Sequence, residues 1–218
     1  MKDFHKREVA FERVVFFSDA IVAIAITLLA LELKLEVPEG HTLSFADLAI
    51  PWKSYVAFLL SFINIAGFWR THHQIYSYIH KMDTVSMAYN FCWLFFIVTL
   101  PFSTNVLSNH FGNAVAIFLY SSNIFALSIL QNFIWDSAEA KKDFINENVV
   151  TEAERSRLRV MFNLDMINGL LCIALSFFYP TLAFFLLFFK IPVFILVNIY
   201  VAQEKRKAAK GIKNGGLE

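Results

Sequence analysis

Read for hydrophobic and polar positions alone, the chain is six long apolar runs separated by short polar stretches. They fall at roughly 12–34, 53–79, 84–107, 112–135, 160–179 and 182–203. Each is about 20 residues or longer, the length a helix rising 1.5 Å per residue needs to cross a hydrocarbon core of about 30 Å. In lipid only helices and closed barrels satisfy all their backbone polar groups. Barrel strands would show segments of about ten residues alternating apolar and polar positions, whereas these runs are continuous. The pattern predicts an all-α membrane protein, a six-helix transmembrane bundle forming one domain over residues 1–218. It shows no soluble domain, no low-complexity stretch and no clear internal repeat. The charged stretch 136–159, DSAEAKKDFINENVVTEAERSRLR, is expected to be a loop with room for a short amphipathic helix.

Composition supports this reading. Apolar residues make up 57% of the chain and charged residues only 17%, below the roughly 25% of a soluble domain. A net charge of +1 leaves no strongly basic face, so nucleic acid is not an expected partner. Cys92 and Cys172 both sit inside apolar runs, with neither a disulfide framework nor a metal spacing, and read as small packing residues. The first run has the basic start of a secretory signal. Its apolar part is longer than a signal core, however, and it ends in LELKLEVPEG without a small-residue cleavage site, so it is read as a retained span. With the N-terminus inside, only Lys34 and Lys53 of the 19 Lys and Arg residues fall in outer segments, and Lys190 lies within the sixth run. That bias puts both termini in the cytoplasm and makes the basic tail after Gln203 a positive-inside anchor.

The first run opens RVVFFSDAIVAIAITLLALEL from Arg13, and places Asp19 roughly 10 Å deep in the bilayer. The second run ends FWRTHHQIYSYIHKMD, which sets His72 and His73 at a similar depth, and Asn90 matches them in the third. Arg13, Ser18, Asp19, His72, His73 and Asn90 thus share one level. An intramembrane charge marks a functional site and needs partners. An ion pair and hydrogen bonds among these residues would offset the cost of burying each alone. The foremost reading is a structural lock on helix register. A gate that depends on histidine protonation comes second. A metal site comes last, because adjacent histidines on a helix point about 100° apart and no HExxH spacing is present.

These residues carry a resemblance. Arg13, Phe17, Ser18 and Asp19 fit RxxxFSD at the opening of the first span, and Trp69, His72 and His73 fit WxxHH near the inner end of the second. Together with the span number, order and orientation, they make the chain resemble the potassium channels related to transmembrane protein 175, the endosomal and lysosomal channel. Animal members carry two six-span repeats and assemble as dimers. One repeat implies a prokaryotic member in the cell membrane, a homotetramer around a central pore, with potassium as the permeant ion and no cofactor.

Ile24, Thr27, Leu28 and Leu31 recur at i, i+3, i+4 and i+7, one face of a helix. Periodicity alone makes this a packing stripe. The resemblance implies instead that the first span of each subunit lines the pore and that apolar residues form its constriction. Spacing from the FSD motif then turns Ile24, Leu28 and Leu31 to the axis, with Thr27 as the one hydroxyl on this face. Bulky apolar rings gate by dewetting, and a ring of hydroxyl oxygens replaces part of an ion's hydration shell. No TVGYG occurs, so selectivity for potassium over sodium is expected to be modest. Glu32, Glu36, Glu39 and Asp47 follow at the outer end, either as an acidic mouth or, the preferred reading given Lys34 among them, as a solvated helix end.

Asp165 in the fifth run and Lys190 in the sixth lie a few residues apart in depth across the Tyr179–Pro180 turn, and are expected to form an intramembrane ion pair. The alternative function is a proton-coupled transporter using Asp19, His72 and His73. Such proteins mark their substrate site with broken helices, and the middle of the first span has neither Gly nor Pro. No nucleophile motif or phosphate loop accompanies the cluster, so enzymatic activity is not expected.

Overall fold

The computed structural model describes residues 2–189 except 36, 38, 39, 142, 147 and 148, together with 192 and 196, with side chains from residue 11 onward. Its helices are α1 (Lys2–Ala30), α2 (Trp52–Tyr78), α3 (Thr84–Asn109), α4 (Ala114–Glu139), α5 (Glu152–Ser176) and α6 (Pro180–Leu186), with a short 3-10 turn at Asp47–Ala49. Among the described residues there is no strand; one isolated antiparallel bridge pairs Ile79 with Ile145. Among the described residues, four helical segments are long and apolar enough to cross a membrane: Phe11–Ala30 of α1, α3, α4 and α5. α2 has the length, at 27 residues, but Lys53, Arg70, His72 and His73 dilute its apolar character. Of the sixth run only its opening lies in α6, and Lys190 falls outside the described residues, so the expected Asp165–Lys190 pair does too.

The helix ends show what an apolar pattern leaves out. α5 begins at Glu152 instead of near 160, because Thr151 and Glu154 form a capping box that starts the helix in polar sequence. α4 likewise runs on to Glu139. Half of the expected loop 136–159 is therefore two helical ends, 136–139 and 152–159, and their charges face each other. Arg159 lies 3.0 Å from Asp136 and bonds Glu139, while Arg155 reaches Glu139 at 3.5 Å. Hydropathy marks where a helix meets lipid, whereas caps mark where it starts.

Between these ends, two connections lock together. His80 N–H donates to the Phe144 carbonyl and Asn146 N–H to the Tyr78 carbonyl, each at 3.0 Å, while Ile79 and Ile145 are buried. Asp83 then caps α3, accepting from the Ser86 backbone N–H at 2.9 Å and the Ser86 hydroxyl at 2.8 Å, and pairs with Lys141. At the opposite end Gly112 takes a positive φ of 81°, which an L side chain rarely adopts, and Asn113 caps α4.

α1, α2 and α3 pack on one another, α3 packs on α4, α4 on α5 and α5 on α6, and α4 also touches α2 and α6. Trp93, Trp135, Tyr120, Phe68 and Phe162 are the largest fully buried side chains. Polar groups also cross the interior: Ser61 Oγ lies 2.6 Å from Thr104 Oγ1 and donates to Tyr120 Oη at 3.0 Å, joining α2, α3 and α4. Gly169 of α5 meets Phe125 of α4 so closely that an added Cβ would stand 3.1 Å from the Phe125 Cα. Small residues permit such approaches where lipid supplies no hydrophobic drive for helix association.

The bond from Lys141 and those from Ser86 hold the Asp83 carboxyl down at about 2, against an ordinary 3.8. A depressed carboxylate contributes stability that is present in full above its unfolded value and lost as pH falls towards its folded value. Melting in detergent should therefore show a loss of stability between about pH 4 and pH 2 that is smaller in Asp83→Asn, with the variant less stable than the parent at neutral pH.

Candidate functional site

α1 divides into two faces. Ser18, Val22, Ala25 and Leu29 are buried, at the spacing of one helical stripe. Ile24, Thr27, Leu28 and Leu31 are exposed, Ile24 by 59% and Leu31 by 67%. All four residues expected at a pore axis thus lie on the face that no other described helix covers. The Thr27 hydroxyl donates to the Ile24 carbonyl at 2.8 Å, so its proton is spent on the backbone and its lone pairs are left for acceptor duty.

The polar level is a directed chain of hydrogen bonds. Ser18 Oγ donates to the Val14 carbonyl at 2.8 Å and so accepts from Asn90 Nδ2 at 3.0 Å. This orients the Asn90 amide so that Oδ1 faces His72 Nε2 at 2.8 Å, and Nε2 therefore carries the proton. The His72 ring is held on both faces, stacked on Trp93 at 4.3 Å between centroids and tilted against Tyr76 at 4.4 Å. Its Nδ1 is buried without a protein partner.

Asp19, next along α1, turns to the other neighbour. Its Oδ1 accepts from Trp69 Nε1 at 2.9 Å, and the Trp69 ring stacks on His73 at 5.6 Å. Phe17 meets Phe91 edge-on at 6.1 Å. Arg13 is exposed and makes no ion pair with Asp19: six residues on a helix set them roughly 120° apart around the axis and about 9 Å apart along it, so they share neither a side nor the level expected for both. Among the described residues no three His, Cys, Asp or Glu side chains gather where they would hold a metal ion.

Sequence reasoning missed five residues. Trp93 supplies the stacking platform one turn beyond Asn90. Asn105 of α3 bonds Glu32, just past the end of α1. Ser61, Thr104 and Tyr120 form another interhelical polar contact. Asn105 was findable by the argument that picks out Asn90, a polar residue in an apolar helix. The acidic residues expected at a mouth are engaged locally where they are described: Glu32 by Asn105, and Asp47 by Ser44 and His41. Glu36 and Glu39 lie outside the described residues.

Residues 13–101, which hold the exposed stripe of α1 and the whole polar level, match the family described as Endosomal/lysosomal potassium channel TMEM175. A potassium channel of Streptomyces collinus is 30% identical over 169 residues, covering 76% of this chain and 82% of that protein. A potassium channel of a Chryseobacterium species is 33% identical over 178 residues, covering 77% and 83%. The crystal structure of a lysosomal potassium-selective channel TMEM175 homolog from Chamaesiphon minutus superposes with a TM-score of 0.69 at 28% identity, covering 87% of this chain and 99% of that one.

The hydrogen-bond chain yields a test of the lock. Asn90→Leu strips partners from His72 Nε2–H and the Ser18 hydroxyl, at a cost of about 1–3 kcal/mol for polar groups left buried. The variant should melt earlier in detergent, and adding His72→Phe should cost less than the sum of the two single changes. An Asn90→Leu protein melting with its parent would show that the chain holds nothing.

Proposed function

Because the chain belongs to the TMEM175 potassium-channel family, we propose that it is a passive potassium channel of modest selectivity, a homotetramer in the cell membrane with the α1 helices of four copies around its pore. The observation that carries this reading is the two-sidedness of α1: one stripe packed into the bundle, the opposite stripe apolar apart from Thr27 and uncovered. Facing copies would bring Ile24, Leu28 and Leu31 together as a constriction narrow enough to gate by dewetting. Thr27 oxygens would replace part of the ion's water. Six spans with both termini in the cytoplasm follow from the six apolar runs and the Lys and Arg bias. Ser18, Asp19, Trp69, His72, His73 and Asn90 then form a structural belt at the inner end of the pore helix.

A proton-coupled transporter using Asp19 and the histidines gains no support from α1, which runs unbroken through the bilayer depth where such proteins unwind.

Purified protein in liposomes separates the two. A channel passes potassium down its gradient without stoichiometric proton movement; saturable uptake with obligatory proton flux would overturn the proposal. For the pore assignment, Leu28→Ala and Ile24→Asn should each raise conductance and lower potassium selectivity in planar bilayers. Unchanged currents in both variants would assign the pore to another helix.

A further inference from the structure

The connection between α1 and α2 carries apolar side chains that the pore does not use. Leu43, Phe45, Leu48, Ile50 and Trp52 are all exposed, Phe45 by 94% and Ile50 by 64%. The polar groups of the same segment are meanwhile turned on one another. Asp47 Oδ2 accepts from the Ser44 backbone N–H at 2.7 Å and the Ser44 hydroxyl at 2.8 Å, and lies 3.1 Å from His41 Nε2. The 3-10 turn closes with the Ile50 N–H on the Asp47 carbonyl at 3.1 Å. Those bonds, the one from the Ser44 backbone first, hold the Asp47 carboxyl below its ordinary value. A segment that satisfies its own polar groups and points its apolar ones outward suits a surface poor in water.

Its position says which surface. Trp52 packs edge-on against Phe111 at 5.3 Å, and Phe111 against Phe184 at 4.8 Å. This aromatic row runs from the start of α2 to α6. Phe177, Phe178, Tyr179 and Phe185 stand exposed at the same end of the bundle. Aromatic residues in such a ring mark the boundary between headgroups and acyl chains. We propose that residues 43–52 are an interfacial anchor, lying in the headgroup–acyl boundary of the bilayer and holding the α1–α2 connection down on it. No Lys or Arg occurs between Lys34 and Lys53, so the segment binds by burying apolar area and not by attraction to anionic lipid. This rests on the chain lying in a bilayer and is independent of what it conducts or how many copies assemble.

The test uses the full chain with Cys92→Ser, which leaves only the buried Cys172. Phe45→Cys and Leu48→Cys report on the anchor, and the exposed polar position Thr42→Cys is the control, each labelled with an environment-sensitive dye and reconstituted in phosphatidylcholine vesicles. At 45 and 48 the emission should be blue-shifted and lose intensity when lipids carry a doxyl group on an acyl carbon near the headgroup; the label at 42 should stay water-like. Adding anionic lipid or salt should change none of this. Water-like emission at 45 and 48 overturns the proposal. So does a blue-shifted label that doxyl lipid fails to quench, which would mean that another copy covers the segment, or a signal that requires anionic lipid.

Discussion

The placement of α1 depends on two neighbouring residues bonding in two directions. Ser18 and Asp19 are consecutive and so point about 100° apart. Ser18 accepts from Asn90 on α3, and Asp19 accepts from Trp69 on α2. Turning α1 by one position would break both bonds at once and rotate a different set of side chains outward. Burial alone would not resist that turn, because lipid is as apolar as the stripe it would cover. Individual interhelical hydrogen bonds in membranes contribute only about 0.6 kcal/mol on average, so specificity here comes from the requirement that both be made together.

The same helix is tied at its far end, where Asn105 of α3 bonds Glu32. Between the two ties its buried side chains, Val22, Ala25 and Leu29, are all apolar. The exposed stripe of Ile24, Thr27, Leu28 and Leu31 occupies this middle stretch, so its orientation is set by bonds on either side of it and by none within it. His72 supports the first tie from behind, with both ring faces packed and Nε2 committed to Asn90. That arrangement fits a residue whose role is to hold an amide in one orientation.

Much of this was legible in the sequence, and the limits are physical. α3 and α4 begin close to their apolar runs, because there the polar break and the helix cap coincide, and α2 starts directly after Pro51 without a side-chain cap. α5 begins earlier, because a capping box starts a helix in water as readily as beside lipid. Depth along a span can be counted, so the residues of the polar level were found. Direction around the helix cannot be counted across helices whose relative rotation is unknown. Hence Trp69 was not foreseen as the group bonded to Asp19, whereas the mismatch of Arg13, on the same helix as Asp19, was open to counting. Trp93 escaped notice because an apolar residue in an apolar run carries no signal until its ring is seen against the imidazole.

The close approach at Gly169 has a mechanical meaning. It seats α5 on α4, at the edge of the subunit remote from α1, with α6 beyond it. A bilayer thicker or thinner than the protein is accommodated by tilt, and the tilt falls first on helices at the perimeter. Here that strain has to pass through α4, and then through α3 or α2, before it reaches the helix with the exposed stripe. The outer hairpin serves as a fender: it can lean with the membrane while the inner helix keeps its heading.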